Sequence, residues 1–542
     1  MARQMRLTMQ HLVSNGYFPI ELIPAFNTNE LGNNINSIIP SLSGMNITIN
    51  GEKILSSKGC IHTIPRILHQ RRHLTIPNPF HQIKVFEGIV NNWQDIKTKI
   101  NASKYSLTKP VVQKNLLRAI NRAHNFNEIP AILPLLSSSF RYVLRTDISR
   151  YYATIYTHSI PWACHGKVFA KNKANRGNLH YGNLLDSTIR NTQDQQTIGI
   201  PIGPDSSLVV SELIGSAMDK EIYNETNAKG FRYVDDLYFF FNSMAEAEEA
   251  LTKIQKVAKN YELELNPEKT EIYPLPRTLE QHWTSEIRNY QFHDSIRRQK
   301  TDLITFFSKA FEYCKRYPNE YVLKYSLIRL KNVFIEKDNW QLYQSLILNS
   351  MIAEPSVLPT ATEIFLAYEK MGYNLNFKEI ENTINNLIGY HAKLGQGYEV
   401  SWSLWMAKTL NLKVSRSSAK EISQMDDCIS ALTALDMRSS GLIPHGLNTT
   451  NWSSFLTHEN LYQDKWLLAY EAVKKGWLTV RNSYIPSDPF FSILSAKNIE
   501  FYNPNLQLAP SKPNKITTVK NVGNVQLPNG YTFTGDGGGG GY

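Results

Sequence analysis

Two adjacent carboxylates, Asp235 and Asp236, interrupt an otherwise apolar and β-prone run, FRYVDDLYFFF, at positions 231–241. Apolar runs on both sides of a charged pair predict a β-hairpin with both acids at its turn. Neighbouring carboxylates repel one another and are costly to desolvate, so a pair beside such strands makes chemical sense where a divalent cation neutralises it. An ordinary surface turn is the plain alternative, because Asp favours turns.

A second carboxylate, Asp147, ends the strand-like run in YVLRTDISRYYATIY, with aromatic residues after it. A two-metal phosphoryl-transfer site needs carboxylates from separate elements, to hold two Mg2+ ions about 3.5–4 Å apart. Asp147 and Asp235 on neighbouring strands would supply them; a helix N-cap is the plain reading of Asp147 alone. The third feature, QTIGIPIGPDSSLVVSEL, is a loop punctuated by Gly199, Pro201, Gly203 and Pro204 that runs into an apolar helix. Glycine there lets a base or sugar approach the backbone, although a turn before a helix capped by Asp205 or Ser206 accounts for the same pattern.

The surroundings suit a nucleic-acid enzyme. Residues 66–115 hold nine Lys or Arg against two acids, Glu87 and Asp95, which reads as a phosphate-facing surface. Over the whole chain 58 basic residues exceed 47 acidic ones by 11, a modest excess that agrees with a polyanionic partner. At 42% apolar and 19% charged residues the chain is globular rather than disordered, and its 542 residues predict roughly two to four domains. Cys60, Cys164, Cys314 and Cys428 form no CxxC pair, so neither a zinc ribbon nor a disulfide framework is indicated. No uninterrupted apolar stretch of about 18 residues occurs, so a soluble, cytoplasmic protein without membrane contact is expected.

Periodicity sets the layout. Residues 1–25 read as a helical lead-in and Asn27 to Gly51 as an Asn, Ser and Gly-rich loop. The extended segment RRHLTIPNPFHQIKVF is followed by helices expected around Gly88–Ile100 and Val111–His124. From Arg141 to Pro276 strands alternate with helices, an α+β arrangement with a helix at Ala245–Tyr261. Beyond Thr278 apolar residues recur every three or four positions, predicting a long helical domain. Helical spacing there assigns Trp283, Trp340, Trp402, Trp405, Trp452, Trp466 and Trp477 to core packing rather than base stacking. The tail from Asn503 is rich in Pro, Asn and Gly, ends in GDGGGGGY, and reads as extended or mobile.

In the order DISRYY, GIPIGP, YVDD and LELNPEKTEI, the chain resembles palm motifs A to D of reverse transcriptases. RRHLTIPNPFHQ, NNWQDI, YTHSIPWACHGK and IGIPIGPDSS resemble, more narrowly, the abortive-infection and related defence-associated bacterial reverse transcriptases. The resemblance implies a right-hand polymerase with fingers at 66–140 and palm at 141–278. An N-terminal extension and linker at 1–65 precedes them; an all-α C-terminal domain at 279–502, thumb-like or a helical repeat, and a tail at 503–542 follow. It implies an RNA-directed DNA polymerase in antiphage defence, with dNTPs as substrates and RNA, single-stranded DNA or a non-coding RNA as partner. Self-association through the helical domain is a further implication. The metal carboxylates fall on Asp147, Asp235 and Asp236, with Ile148 lending its carbonyl to one of two Mg2+ ions, or Mn2+ in their place. Tyr152 becomes the steric gate against a ribose 2′-hydroxyl, Tyr233 lies beneath the primer end, and Gly203 and Pro204 line the nucleotide. Lys269 stands near the leaving pyrophosphate, and Arg71 or Arg72 meets the triphosphate.

Ile202 stands where many template-copying relatives of this kind have Gln, which puts strict templating in doubt. Tyr542, behind Gly537–Gly541, is a candidate protein primer. An RNA-dependent RNA polymerase and a catalytically silent RNA-binding scaffold are the rival readings.

Overall fold

The computed structural model describes residues 6–66, 70–112, 118–481, 483–506 and 513. In chain order β1 (Ile47–Ile49) pairs with β2 (Glu52–Ile54), β3 (Cys60–Pro65) with β4 (Arg71–Ile76), and β5 (Pro110–Val111) with β6 (Asn121–Arg122). A four-stranded antiparallel sheet then forms from β7 (Tyr142–Asp147), β8 (Lys229–Tyr233), β9 (Asp236–Phe241) and β10 (Glu271–Pro274), in the order β10-β7-β9-β8. This is the α+β sheet expected of a palm. Its apolar side chains explain it: Val143, Leu144, Phe231, Phe239 and Phe240 are all buried, and β-branched and aromatic residues fit a pleated, packed surface.

The helix Met244–Asn260 covers β7 and β9. Ala247, Ala250, Ile254 and Val257 make its buried stripe. Its start is capped by Ser243, whose Oγ accepts from Glu246 N, and Glu246 Oε2 in turn accepts from Asn242 N, one residue before the cap. The helix Asp205–Thr226 ends at Asn227, whose φ of +48° stops it.

After β10 the described residues hold helices alone, from His282–Asn289 to Phe491–Ala496. The expected core role of the tryptophans holds: Trp283, Trp340, Trp402, Trp405, Trp452 and Trp466 are buried, and Trp477 packs on the core. Trp340 stacks on Tyr368 with ring centroids 4.6 Å apart. This helical region grips the β3–β4 hairpin. His62 Nδ1 and Asp427 Oδ2 lie 2.8 Å apart, Trp466 Nε1 donates to the Ile76 carbonyl at 3.0 Å, and Asn78 Nδ2 donates to the Leu461 carbonyl at 2.6 Å. It also reaches the opposite end of the chain: Asn27 N donates to the Phe501 carbonyl and Asn503 N to the Ala25 carbonyl.

Three expectations need correction. The loop expected over Asn27–Gly51 contains the helix Asn29–Leu42, whose Leu31, Ile35, Ile38 and Leu42 are buried while Asn33, Asn34 and Ser37 face outward. The helix expected around Val111–His124 is replaced by the short strands β5 and β6; residues 113–117 lie outside the described residues. The tail expected from Asn503 is still packed at Asn503, Pro504 and Leu506, and the rest of it, Tyr542 included, lies outside the described residues apart from Pro513. No helix among the described residues is long and apolar enough to cross a membrane.

Candidate active site

β7 ends on Asp147 and β9 begins on Asp236, and the register sets these two residues directly opposite one another. The expected hairpin forms with a tighter turn than expected. Val234 and Asp235 make the turn, while Asp236 is already in β9, paired with Tyr233. Ile148 N donates to the Asp235 carbonyl at 3.1 Å, which clips the turn to the residue after Asp147. Asp147, Asp235 and Asp236 therefore meet at one end of the sheet.

The turn is strained and braced. Val234 has φ +57°, a left-handed conformation that a β-branched residue rarely adopts. Val234 N donates to Thr108 Oγ1 at 3.2 Å and its carbonyl accepts from Arg232 Nη1 at 2.7 Å. Arg232 is itself held by Glu212 and Asp219, each at 2.9 Å, and all three are buried. Ser106 and Thr108 hydroxyls donate to Glu212, and the Ser103 hydroxyl to Asp219. Burial works against the Glu212 charge, but Arg232 outweighs it and holds the carboxyl below its ordinary range. A strained turn persists only where its surroundings over-determine it, and such turns gather at functional sites.

Charge is concentrated here. Burial, and then the neighbouring Asp235, push the Asp236 carboxyl up to about 6, against the pull of Arg145. Burial also raises Asp235, with Asp147 adding to the rise and Lys269 opposing it. Asp147 is 4% exposed. Its Oδ2 accepts from Lys269 Nζ, and its Oδ1 is buried without a hydrogen-bond partner. Among the described residues no three His, Cys, Asp or Glu form a ready-made metal cage. The donors nonetheless fit a divalent cation: a partnerless carboxylate oxygen and two carboxyls disfavoured by burial suit a hard, oxygen-seeking ion, and a lysine supplies positive charge at Asp147.

The residues expected around a nucleotide have partners of their own. The Tyr152 hydroxyl accepts from Ser211 Oγ at 3.1 Å, and the buried Tyr151 hydroxyl donates to the Ser211 carbonyl at 2.7 Å. The Gly and Pro-punctuated loop lies along this segment, Ile200 N donating to the Tyr152 carbonyl at 2.9 Å. Gly203 has φ +142°, and a Cβ there would come within 2.6 Å of Pro19 Cγ. Its carbonyl accepts from Arg118 Nη2 at 2.8 Å, and Pro204 precedes the helix that Asp205 begins. Asp205, read from sequence as a cap, instead binds the Arg118 guanidinium and the Ile120 N–H; burial raises its carboxyl to about 6 against the pull of Arg118. Thr75 N donates to the Ile202 carbonyl at 2.8 Å, which ties this loop to β4. Of the two candidate arginines, Arg71 is bound to Glu399 and Thr63, while Arg72 is exposed.

Sequence reasoning missed Arg118, the Arg232 network, and Arg122 with Phe126. Arg122 lies beside the Tyr152 and Tyr233 hydroxyls. Desolvation works against its charge, and the two tyrosines outweigh that effect and raise its pKa. The only advance signal was Asn125 followed by Glu128, a reciprocal cap that marks a turn start.

Residues 89–293 match the family described as "Reverse transcriptase (RNA-dependent DNA polymerase)". This span is similar to reverse-transcriptase domains. The two candidate metal-binding segments, Asp147–Ile148 and Asp235–Asp236, both fall within the reverse-transcriptase match, as do Tyr152, Gly203, Pro204, Tyr233 and Lys269. Among solved structures, an apo telomerase from Candida tropicalis truncated from the C-terminal domain aligns at 16% identity and a TM-score of 0.30. The alignment covers 46% of this chain and 56% of that one, so the chain spans little more than half of its length. The apo telomerase of the same organism aligns at 11% identity and a TM-score of 0.32, over 66% of this chain and 74% of that one. No curated protein matches the chain.

Proposed function

We propose that the chain is a DNA polymerase of the reverse-transcriptase type that joins deoxynucleotides at Asp147, Asp235 and Asp236. The observation that carries this reading is the meeting of these acids at one end of the sheet, on a braced and strained turn. The three carboxylates, with the Ile148 carbonyl, would hold two Mg2+ ions, or Mn2+. Such ions activate the attacking 3′-hydroxyl and neutralise charge on the leaving pyrophosphate.

The chain's own groups do the rest. The Tyr152 ring, fixed through its hydroxyl to Ser211, fills the space a ribose 2′-hydroxyl would need and so selects dNTPs. The Gly203–Pro204 loop, whose glycine packs closely on Pro19 and the Thr75 carbonyl, would line the nucleotide. Arg72, exposed on β4, meets the triphosphate, and Lys269 places its ammonium where negative charge develops. Tyr233 lies beneath the primer end. The domain limits 66–140 for fingers, 141–278 for palm and 279–502 for the helical domain belong to the same reading.

Antiphage defence in the cytoplasm, with RNA, single-stranded DNA or a non-coding RNA as partner and self-association through the helical domain, is supported by the motif resemblance. Ile202 in motif B supports synthesis that is not strictly templated, and Tyr542 is the proposed protein primer. Purified protein supplied with Mg2+ and either labelled dNTPs or rNTPs tests the reading. Incorporation of dNTPs by the native chain and none by Asp235→Asn, with unchanged circular dichroism, is expected; full activity in that variant refutes the site. Preference for rNTPs would favour an RNA polymerase.

A further inference from the structure

Beside the acids stands a surface of which the polymerase reading uses Tyr233 alone. The turn Phe126–Glu128 is firmly built: Asn125 N donates to Glu128 Oε1 at 2.8 Å, and Glu128 Oε2 lies 2.9 Å from His124 Nδ1. This turn presents a phenyl ring to solvent, Phe126 being 58% exposed. The ring meets Tyr233 edge-on, with centroids 5.4 Å apart, and Tyr233 is two residues from Asp235. On the adjoining strand β6 Arg122 is exposed along part of its side chain, and its guanidinium, partly desolvated, lies 5.8 Å from the Tyr233 ring centre, next to the Tyr152 and Tyr233 hydroxyls.

An exposed aromatic face and a planar cation within one patch match the two halves of a nucleotide. Bases stack on aromatic rings whatever their identity, and a guanidinium matches the fork of phosphate oxygens. A phenyl ring left in water costs burial that a packed core would have regained, yet a capped turn holds this one out. Resting on the polymerase reading of the acids, we infer that Phe126, Tyr233 and Arg122 form a subsite for the terminal nucleotide of the strand being extended. Phe126 meets its base and Arg122 its phosphodiester, while Tyr233 joins this platform to the Asp235 turn.

The test separates binding from turnover. In the full chain carrying Asp235→Asn, the affinity for fluorescein-labelled oligo(dT) annealed to poly(rA) is measured by anisotropy across salt concentrations. Phe126→Ala should weaken binding about tenfold and Phe126→Tyr should not, as expected for stacking worth about 1–3 kcal/mol. Arg122→Ala should weaken it similarly and lower the salt slope by about one. In the chain with Asp235 intact, the KM of Phe126→Ala for dTTP at saturating duplex should stay within about twofold. Unchanged duplex affinity in both variants overturns the subsite, as does a raised KM for dTTP with unchanged duplex binding, which would place the incoming nucleotide there instead. If the native chain extends the oligonucleotide and these variants bind it normally, the subsite alone fails. If the native chain incorporates no nucleotide, the polymerase reading fails first.

Discussion

Arg71 Nη2 donates to Glu399 Oε2 at 2.8 Å, joining the β3–β4 hairpin to a helix 328 positions further along the chain. Glu399 is 2% exposed and Arg71 18%, so the pair is shielded from solvent, and the arginine is committed to holding the hairpin. Removing one member of such a pair strands the other charge. Glu399→Ala should therefore lower unfolding free energy by about 3–5 kcal/mol, whereas joint replacement by Met and Leu should be nearly neutral. Urea denaturation of the three chains checks both statements.

Thr108 is the hydroxyl that both accepts from Val234 N and donates to Glu212. Thr108→Val keeps the shape and leaves the Val234 N–H buried without a partner. A loss of about 1–3 kcal/mol is expected, seen in thermal melts, with slower dNTP incorporation because the Asp235 turn loses its brace.

Lys269 is the cation at Asp147, and it is half exposed, so its ion pair is weak. A metal ion arriving at Asp147 must compete with it. Lys269→Ala should bind Mn2+ about fivefold more tightly in calorimetry, from the loss of roughly 1 kcal/mol of competing ion pair. The same variant should transfer nucleotides at least about tenfold more slowly, because the positive charge beside the leaving group is gone.

Glu471 gives a pH signature remote from the acids. Burial raises its carboxyl from 4.5 to about 8, against the Phe501 and Tyr502 N–H groups and Lys475. The folded chain therefore keeps this proton to higher pH than the unfolded chain does. Stability from this group is complete below pH 4.5 and is lost as pH rises through about 8. Calorimetric melting temperatures should fall across that window, and Glu471→Gln should flatten the slope.

The sheet and its acids were legible because a short-range pattern encodes them. A strand run ending in Asp147, and another broken by Asp235 and Asp236, need only local alternation to be recognised. The helix Asn29–Leu42 was hidden because its outward face carries Asn33, Asn34 and Ser37, a composition that otherwise marks a loop. Strand β6 with Arg122 was lost inside a segment, Val111–His124, whose apolar spacing imitates a helix, and the turn with Phe126 follows directly after it. The fate of Arg71 was illegible for a different reason: nothing near it in sequence announces Glu399, and only tertiary packing brings the two together.

The strand-like contact of Phe26 with Tyr502, whose rings lie 4.9 Å apart, closes the chain upon itself. The two partners stand at opposite ends of the described residues, so the segment after Phe501 and the segment before Asn27 are held side by side. The far end of the chain thus supplies a clasp for the Phe26 segment, while the helices Met9–Gly16 and Asn29–Leu42 rest on one another and the first of them also on the helix Pro79–Asn91.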